Sequence, residues 1–209
     1  MEKKAISTEH LAGLQHLILQ KDEQNRSMGS LENRQNLLAS RLKAGDHAAA
    51  AELVDIYYEQ IYRFMRRLGN SREASEDLTQ ETFFQAWHHV GQLRSGKALG
   101  GWLYHIALNA SRIYGRRHKD VELVRMELVE AAGQGGWGDV VAGNRDELAR
   151  LRDAVVELPV KLRQAVVLHY MQHLTIAQAA EAASVGKGTL KSRLSRALKV
   201  LRKRLNSDF

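Results

Sequence analysis

The stretch from Leu174 to Leu205, LTIAQAAEAASVGKGTLKSRLSRALKVLRKRL, constrains the fold more than any other part of the chain. Thr175 stands where an N-cap is needed, and Ile176, Ala179, Ala180 and Ala183 recur at i, i+3, i+4 and i+7, lining one face of a short helix. Ser184-Val185-Gly186 predicts a tight, glycine-containing turn. Beyond it, Leu190, Leu194, Ala197, Leu198, Leu201 and Leu205 form an apolar stripe, while Lys187, Lys191, Arg193, Arg196, Lys199, Arg202, Lys203 and Arg204 stay off it. No acidic residue lies between Ala182 and Ser207. A short helix, a turn and a strongly basic second helix make a helix-turn-helix suited to duplex DNA, because phosphates attract cations and the major groove admits one helix. The same spacing alone would also fit a solvated basic face on an ordinary amphipathic helix.

The rest of the chain reads as helical too. There is one proline, Pro159, and few alternating β-branched runs. Leu38 and Leu42 lead to Gly45-Asp46, after which Leu53, Ile56, Tyr57, Ile61, Phe64 and Leu68 mark one face of a long helix ending at Gly69-Asn70. Ser71 can cap the next helix, where Phe83, Trp87 and Val90 share one side and Glu73, Glu76, Asp77, Gln80 and Glu81 another. That acidic face is a local reversal of sign, since the chain carries 31 Lys and Arg against 24 Asp and Glu, a formal charge of +7. By composition alone it could be a solubilising surface.

Gly91 to Gly101 reads as a loop containing Arg94, Ser95, Gly96 and Lys97. In the following helix Leu103, Ala107, Ala110 and Tyr114 share a face, Trp102, Ile106 and Ile113 lie beside it, and Arg112, Arg116, Arg117 and Lys119 lie outside. Aromatic rings among cations suit unstacked single-stranded bases, although the plainer reading of Trp102 and Tyr104 is core packing, and for Trp102 it is the preferred one. Asp120 to Asn144 holds the glycine cluster GQGGWGDVVAGN without sustained periodicity and reads as a flexible linker. Helical pattern resumes with Leu148, Leu151, Val155 and Leu158, Pro159 stands at a helix start, and Leu162, Val166 and Tyr170 continue. Residues 1–30 form an extension, with Leu11, Leu14 and Ile18 at helical spacing, whose role the residues leave open.

These residues carry a resemblance. The last helix-turn-helix, preceded by ELPVKLRQAVVLHYMQHL, resembles the promoter-reading domain 4 of bacterial sigma factors of the extracytoplasmic-function group, most specifically at Leu158-Pro159 and at Gly188 to Leu194. RLKAGDHAAAAELVDIYYEQIYRFMRRLG followed by SEDLTQETFFQAW, and then the helix from Gly101, are similar to domain 2 of the same group. The resemblance covers about Leu37 to Leu205 and implies core RNA polymerase, through its β′ coiled coil and β flap, as a partner. It also implies promoter DNA and an anti-sigma factor. It carries polymerase binding onto Asp77, Gln80, Glu81 and Phe84. Contact with the −10 element falls on Arg94, Ser95, Gly96, Lys97 and Asn109, and the cationic face adds Arg112 and Arg116. Contact with the −35 element falls on Lys187, Thr189, Lys191, Ser192, Arg193 and Arg196.

Enzyme chemistry finds little footing. There is no cysteine nucleophile or thiolate zinc site, no phosphate-binding glycine loop and no Gly-x-Ser-x-Gly elbow. His169 and His173 stand at i, i+4, but Tyr170 occupies the place where a zinc protease has its glutamate, and the adjacent His88 and His89 point apart. No cofactor, small-molecule substrate, catalytic residue or metal ligand is expected. The absence of cysteine and of a long apolar run points to the cytoplasm and to no membrane span.

The expected fold is all-α, with two small helical domains joined by a flexible linker: residues 1–30 an extension, 31–119 a sigma domain 2-like bundle, 120–144 the linker and 145–209 a domain 4-like helix-turn-helix. The expected function is promoter-specific transcription initiation with core polymerase. The rival is a stand-alone dimeric helix-turn-helix regulator, which has no use for the SEDLTQETFFQAW helix.

Overall fold

A computed structural model of the chain describes residues 33–117 and 145–206, in which every regular element is helical. The expected extension at 1–30 and the linker at 120–144 lie outside the described residues. The first half comprises α1 (33–43), α2 (His47–Leu68), α3 (Arg72–His89) and α4 (Leu99–Arg117). The second comprises α5 (Arg145–Val156), α6 (Val160–Val166) running into a π turn (Val167–Met171), α7 (Ile176–Ala182) and α8 (Lys187–Asn206).

The caps lie where the sequence places them. Asp46 accepts from the Ala48 and Ala49 amides at the start of α2, and Arg41 holds its carboxyl below the usual carboxylate range. Ser71 accepts from Ala74 N in α3. At Thr175 a capping box closes, with the hydroxyl accepting from Gln178 N and the Gln178 side chain accepting from Thr175 N. α2 stops at Gly69, whose φ of 99° favours glycine, and Asn70 N reaches back to Met65 O, the mark of a Schellman-type end.

In the first half Ile61, Phe64, Met65, Leu99, Leu103 and Leu108 are fully buried, with the Phe64 and Tyr104 rings edge-on at 5.0 Å. In the second, Val155, Leu158, Leu168 and Leu190 form the centre. The apolar stripe of α8 faces inward as its spacing predicts, with Leu190, Leu194, Ala197 and Leu201 buried.

Some expectations fail for local reasons. Ile56 was expected on the buried face of α2 but is 41% exposed, since Leu53, Tyr57, Ile61 and Phe64 already complete the inward stripe. Tyr170 is 46% exposed because the π turn widens the helix after Val166 and rotates the later residues, so Val167, Leu168 and Met171 take the core positions. The left-handed residue of the turn between α7 and α8 is Ser184, with φ of 55°, and not the glycine two positions on. The segment expected as a loop before α4 contains two short 3-10 turns, Val90–Gln92 and Gly96–Ala98, and α4 begins at Leu99.

Candidate nucleic-acid and polymerase interface

α3 has an unusual division of faces. Its buried side carries Ser75, Thr79 and Thr82 among Ala74, Leu78, Phe83 and Ala86. The Thr79 and Thr82 hydroxyls donate back to Ser75 O and Leu78 O, both at 2.6 Å, so these small polar groups enter the core with their hydrogen bonds made within the helix. The outer side carries Asp77, Gln80, Glu81 and Phe84 at i, i+3, i+4 and i+7, all exposed. Phe84 is 59% exposed, its ring 4.3 Å from the His88 ring. A phenylalanine in water among carboxylates, on a helix that buries threonines, is exposed apolar surface of a kind that suits a protein partner.

Between α3 and α4 runs a groove of about 600 Å³, with Leu78, Glu81 and Gln85 on one wall and Trp102, Ile106 and Asn109 on the other. Trp102 is half-buried against the core and also borders this groove. Tyr104 is core: it is buried, and its hydroxyl donates to Gln172 Oε1 at 2.7 Å. Asn109 and Arg116 are exposed on α4. Arg112 is half-buried, donating to Gln164 Oε1 at 3.0 Å and to Ala183 O at 3.1 Å, so in this state it is engaged by the second half of the chain.

Arg94 and Ser95 are exposed, whereas Gly96 is buried; of Lys97 only the backbone is described. A Cβ at Gly96 would collide with the Asn36 backbone, coming 2.6 Å from its nitrogen. The space on that side is filled by α1, and the glycine serves close helix-to-turn packing.

The first turns of α8 present Lys187, Thr189, Lys191, Ser192 and Arg196 to solvent, with Arg193 half-buried. Ser192 Oγ donates to Thr189 O at 2.9 Å. The helix is 20 residues long, and its N-terminal half is the part a helix-turn-helix inserts into the major groove. Sequence reasoning missed the cations that join the two halves, Arg67 and Arg163, because their targets are backbone carbonyls 104 and 95 positions away. His169, considered as a ligand, has Nδ1 2.8 Å from Leu174 O. Among the described residues no helix is long and apolar enough to cross a membrane.

Two family models match the chain, Sigma-70 region 2 over residues 53–120 and Sigma-70 region 4 over residues 148–201. The chain is 31% identical to the ECF RNA polymerase sigma factor SigW of Bacillus subtilis, over 79% of this chain and 93% of that protein. Among solved structures it is similar to the sigma factor RpoE of Bartonella quintana, in complex with the anti-sigma factor NepR. The TM-score is 0.56 at 25% identity, over 76% of this chain and 98% of that one. The fold is also that of CnrH, solved with the cytosolic domain of CnrY, with a TM-score of 0.63 at 22% identity over 84% and 99%. With both halves matched in chain order, the chain belongs to the extracytoplasmic-function family of RNA polymerase sigma factors.

Proposed function

We propose that this sigma factor divides promoter recognition between its halves. The α3 stripe of Asp77, Gln80, Glu81 and Phe84 docks on the β′ coiled coil of core polymerase, with the β flap receiving the second half. Residues 31–119 act as the polymerase-binding and −10 domain and 145–209 as the −35 domain, tethered by 120–144. Lys187, Thr189, Lys191, Ser192, Arg193 and Arg196 meet the −35 duplex. Arg94, Ser95, Gly96, Lys97, Asn109, Arg112 and Arg116 meet the opened −10 strand, with the groove beside Trp102 available to an unstacked base.

The observation that carries this reading is the exposed Phe84 within an acidic stripe, in a chain whose last helix is basic. Acidic side chains repel phosphate, so the stripe suits protein and the basic helix suits DNA. The protein performs no chemistry of its own, works in the cytoplasm, and is held in check by an anti-sigma factor, as the likeness to the RpoE–NepR complex supports. The test is run-off transcription from a cognate promoter by core polymerase with and without the chain: transcripts only in its presence are expected, and none in either case would refute the reading.

A further inference from the structure

The π turn that takes Tyr170 off the core stripe delivers it to a cavity of about 310 Å³, where the turn meets α2 and α4. Tyr170 lines it together with Arg63, Arg67, Tyr104, Gln172 and His173. Single π turns inside helices are frequent at functional sites. Two residues past the turn, His173 has a φ of 53°, a left-handed conformation that is uncommon outside glycine and recurs beside ligands.

The lining is cationic and aromatic, and no acidic side chain belongs to it. Glu59, outside the lining, accepts from Arg63 Nε at 2.6 Å. Arg67 is 5% exposed and donates to Met171 O, a neutral acceptor, at 3.0 Å. Its charge sits where the dielectric is low and an anion is attracted more strongly than at the surface. The Tyr104 hydroxyl, which burial pushes up from its ordinary value, donates to Gln172 Oε1 at 2.7 Å. Gln172 Nε2 is buried and has no partner. Such donors are rare in native proteins, and an acceptor brought by a ligand would satisfy this one. The Tyr170 ring is 46% exposed and braced by the His169 ring at 4.8 Å, whose Nδ1 lies 2.8 Å from Leu174 O.

We propose that this cavity binds a phosphate monoester carried on a flat ring, a single nucleotide, with Arg63 and Arg67 meeting the phosphate and Tyr170 stacking on the base. Guanidinium forks match phosphate oxygens, and aromatic faces hold bases of any kind. A monoester carries a charge of about −1.5 to −2 against the single charge of a backbone phosphate, which favours it over nucleic acid beside two cations. The volume stands at the small end of ligand pockets, about 300–1,000 Å³, so it suits one nucleotide and not a dinucleotide. The site shares no residue with the surfaces assigned to polymerase, the −10 strand or the −35 duplex, and it does not depend on the sigma reading.

The full-length chain is titrated by isothermal calorimetry with adenosine, guanosine, cytidine and uridine monophosphates, with each nucleoside, and with inorganic phosphate. At least one nucleotide should bind at a single site per chain, about tenfold or more tighter than its nucleoside or inorganic phosphate. Tyr170→Ala and Arg63→Gln should each weaken that nucleotide about tenfold. Both side chains reach water, so circular dichroism should show the helices intact. Arg196→Gln, on the basic face of α8, should leave the nucleotide affinity unchanged. The proposal is overturned if no nucleotide binds at millimolar concentration, if inorganic phosphate binds as tightly, or if Tyr170→Ala and Arg63→Gln leave the affinity as it was. It is also overturned if Arg196→Gln weakens binding as much as Arg63→Gln, which would assign the nucleotide to the basic helix.

Discussion

Glu81 and Asn109 line one groove from opposite helices, Glu81 on α3 and Asn109 on α4. The first belongs to the stripe assigned to polymerase and the second to the face assigned to the −10 strand, so the two activities of the first half are neighbours that point mutations can separate.

Glu81→Lys combined with Phe84→Ala should abolish co-purification with core polymerase. Both side chains are exposed, so circular dichroism and the melting temperature should stay close to those of the parent. Loss of a central aromatic anchor typically costs at least about 2 kcal/mol of binding. Recovery of the double variant with core at parental levels would remove the stripe from the interface.

Asn109→Ala should leave holoenzyme assembly intact and impair promoter opening. Binding to core, measured by fluorescence polarisation, should match the parent, while permanganate reactivity of the −10 strand falls. A pre-melted promoter does not remove the need for a base contact, so the defect should persist there in reduced form.

Arg196→Ala should change the preferred −35 sequence, since a good base contact contributes about 1–3 kcal/mol of discrimination. Uniform weakening across a library of −35 variants would assign Arg196 to phosphate alone.

Gly96→Ala tests a packing contact that only the structure supplies. The added methyl must displace the Asn36 backbone, and overpacking of this kind costs about 1–3 kcal/mol, read as a lower midpoint in urea denaturation. An unchanged midpoint would mean that α1 yields without penalty.

What the sequence made legible was what local periodicity encodes. The α8 stripe from Leu190 to Leu201 and the caps at Ser71 and Thr175 are properties of residues a turn apart, and they stand as read. Tyr170 was misplaced because nothing in VLHYM announces a π turn, and one wider turn rotates every later residue. The packing of Gly96 on α1 was not legible because its neighbour, Asn36, is sixty positions away. Arg112 was legible as a cation on the outer face of α4; its engagement by Ala183 was not, because the acceptor is a backbone carbonyl that any residue could supply. The α3 stripe stood out by sign, and the structure adds that the helix buries threonines while leaving Phe84 in water.

The central claim is that polymerase turns this chain into a promoter-specific factor. The purified chain should be titrated onto promoter and scrambled duplexes, with and without core polymerase, at several salt concentrations. Alone, it should bind both duplexes weakly and with steep salt dependence, since phosphate contacts dominate and neither half binds tightly by itself. With core, it should select the promoter strongly. Tight, sequence-specific binding by the chain alone, as a dimer on an inverted repeat and unaffected by core polymerase, would contradict the account.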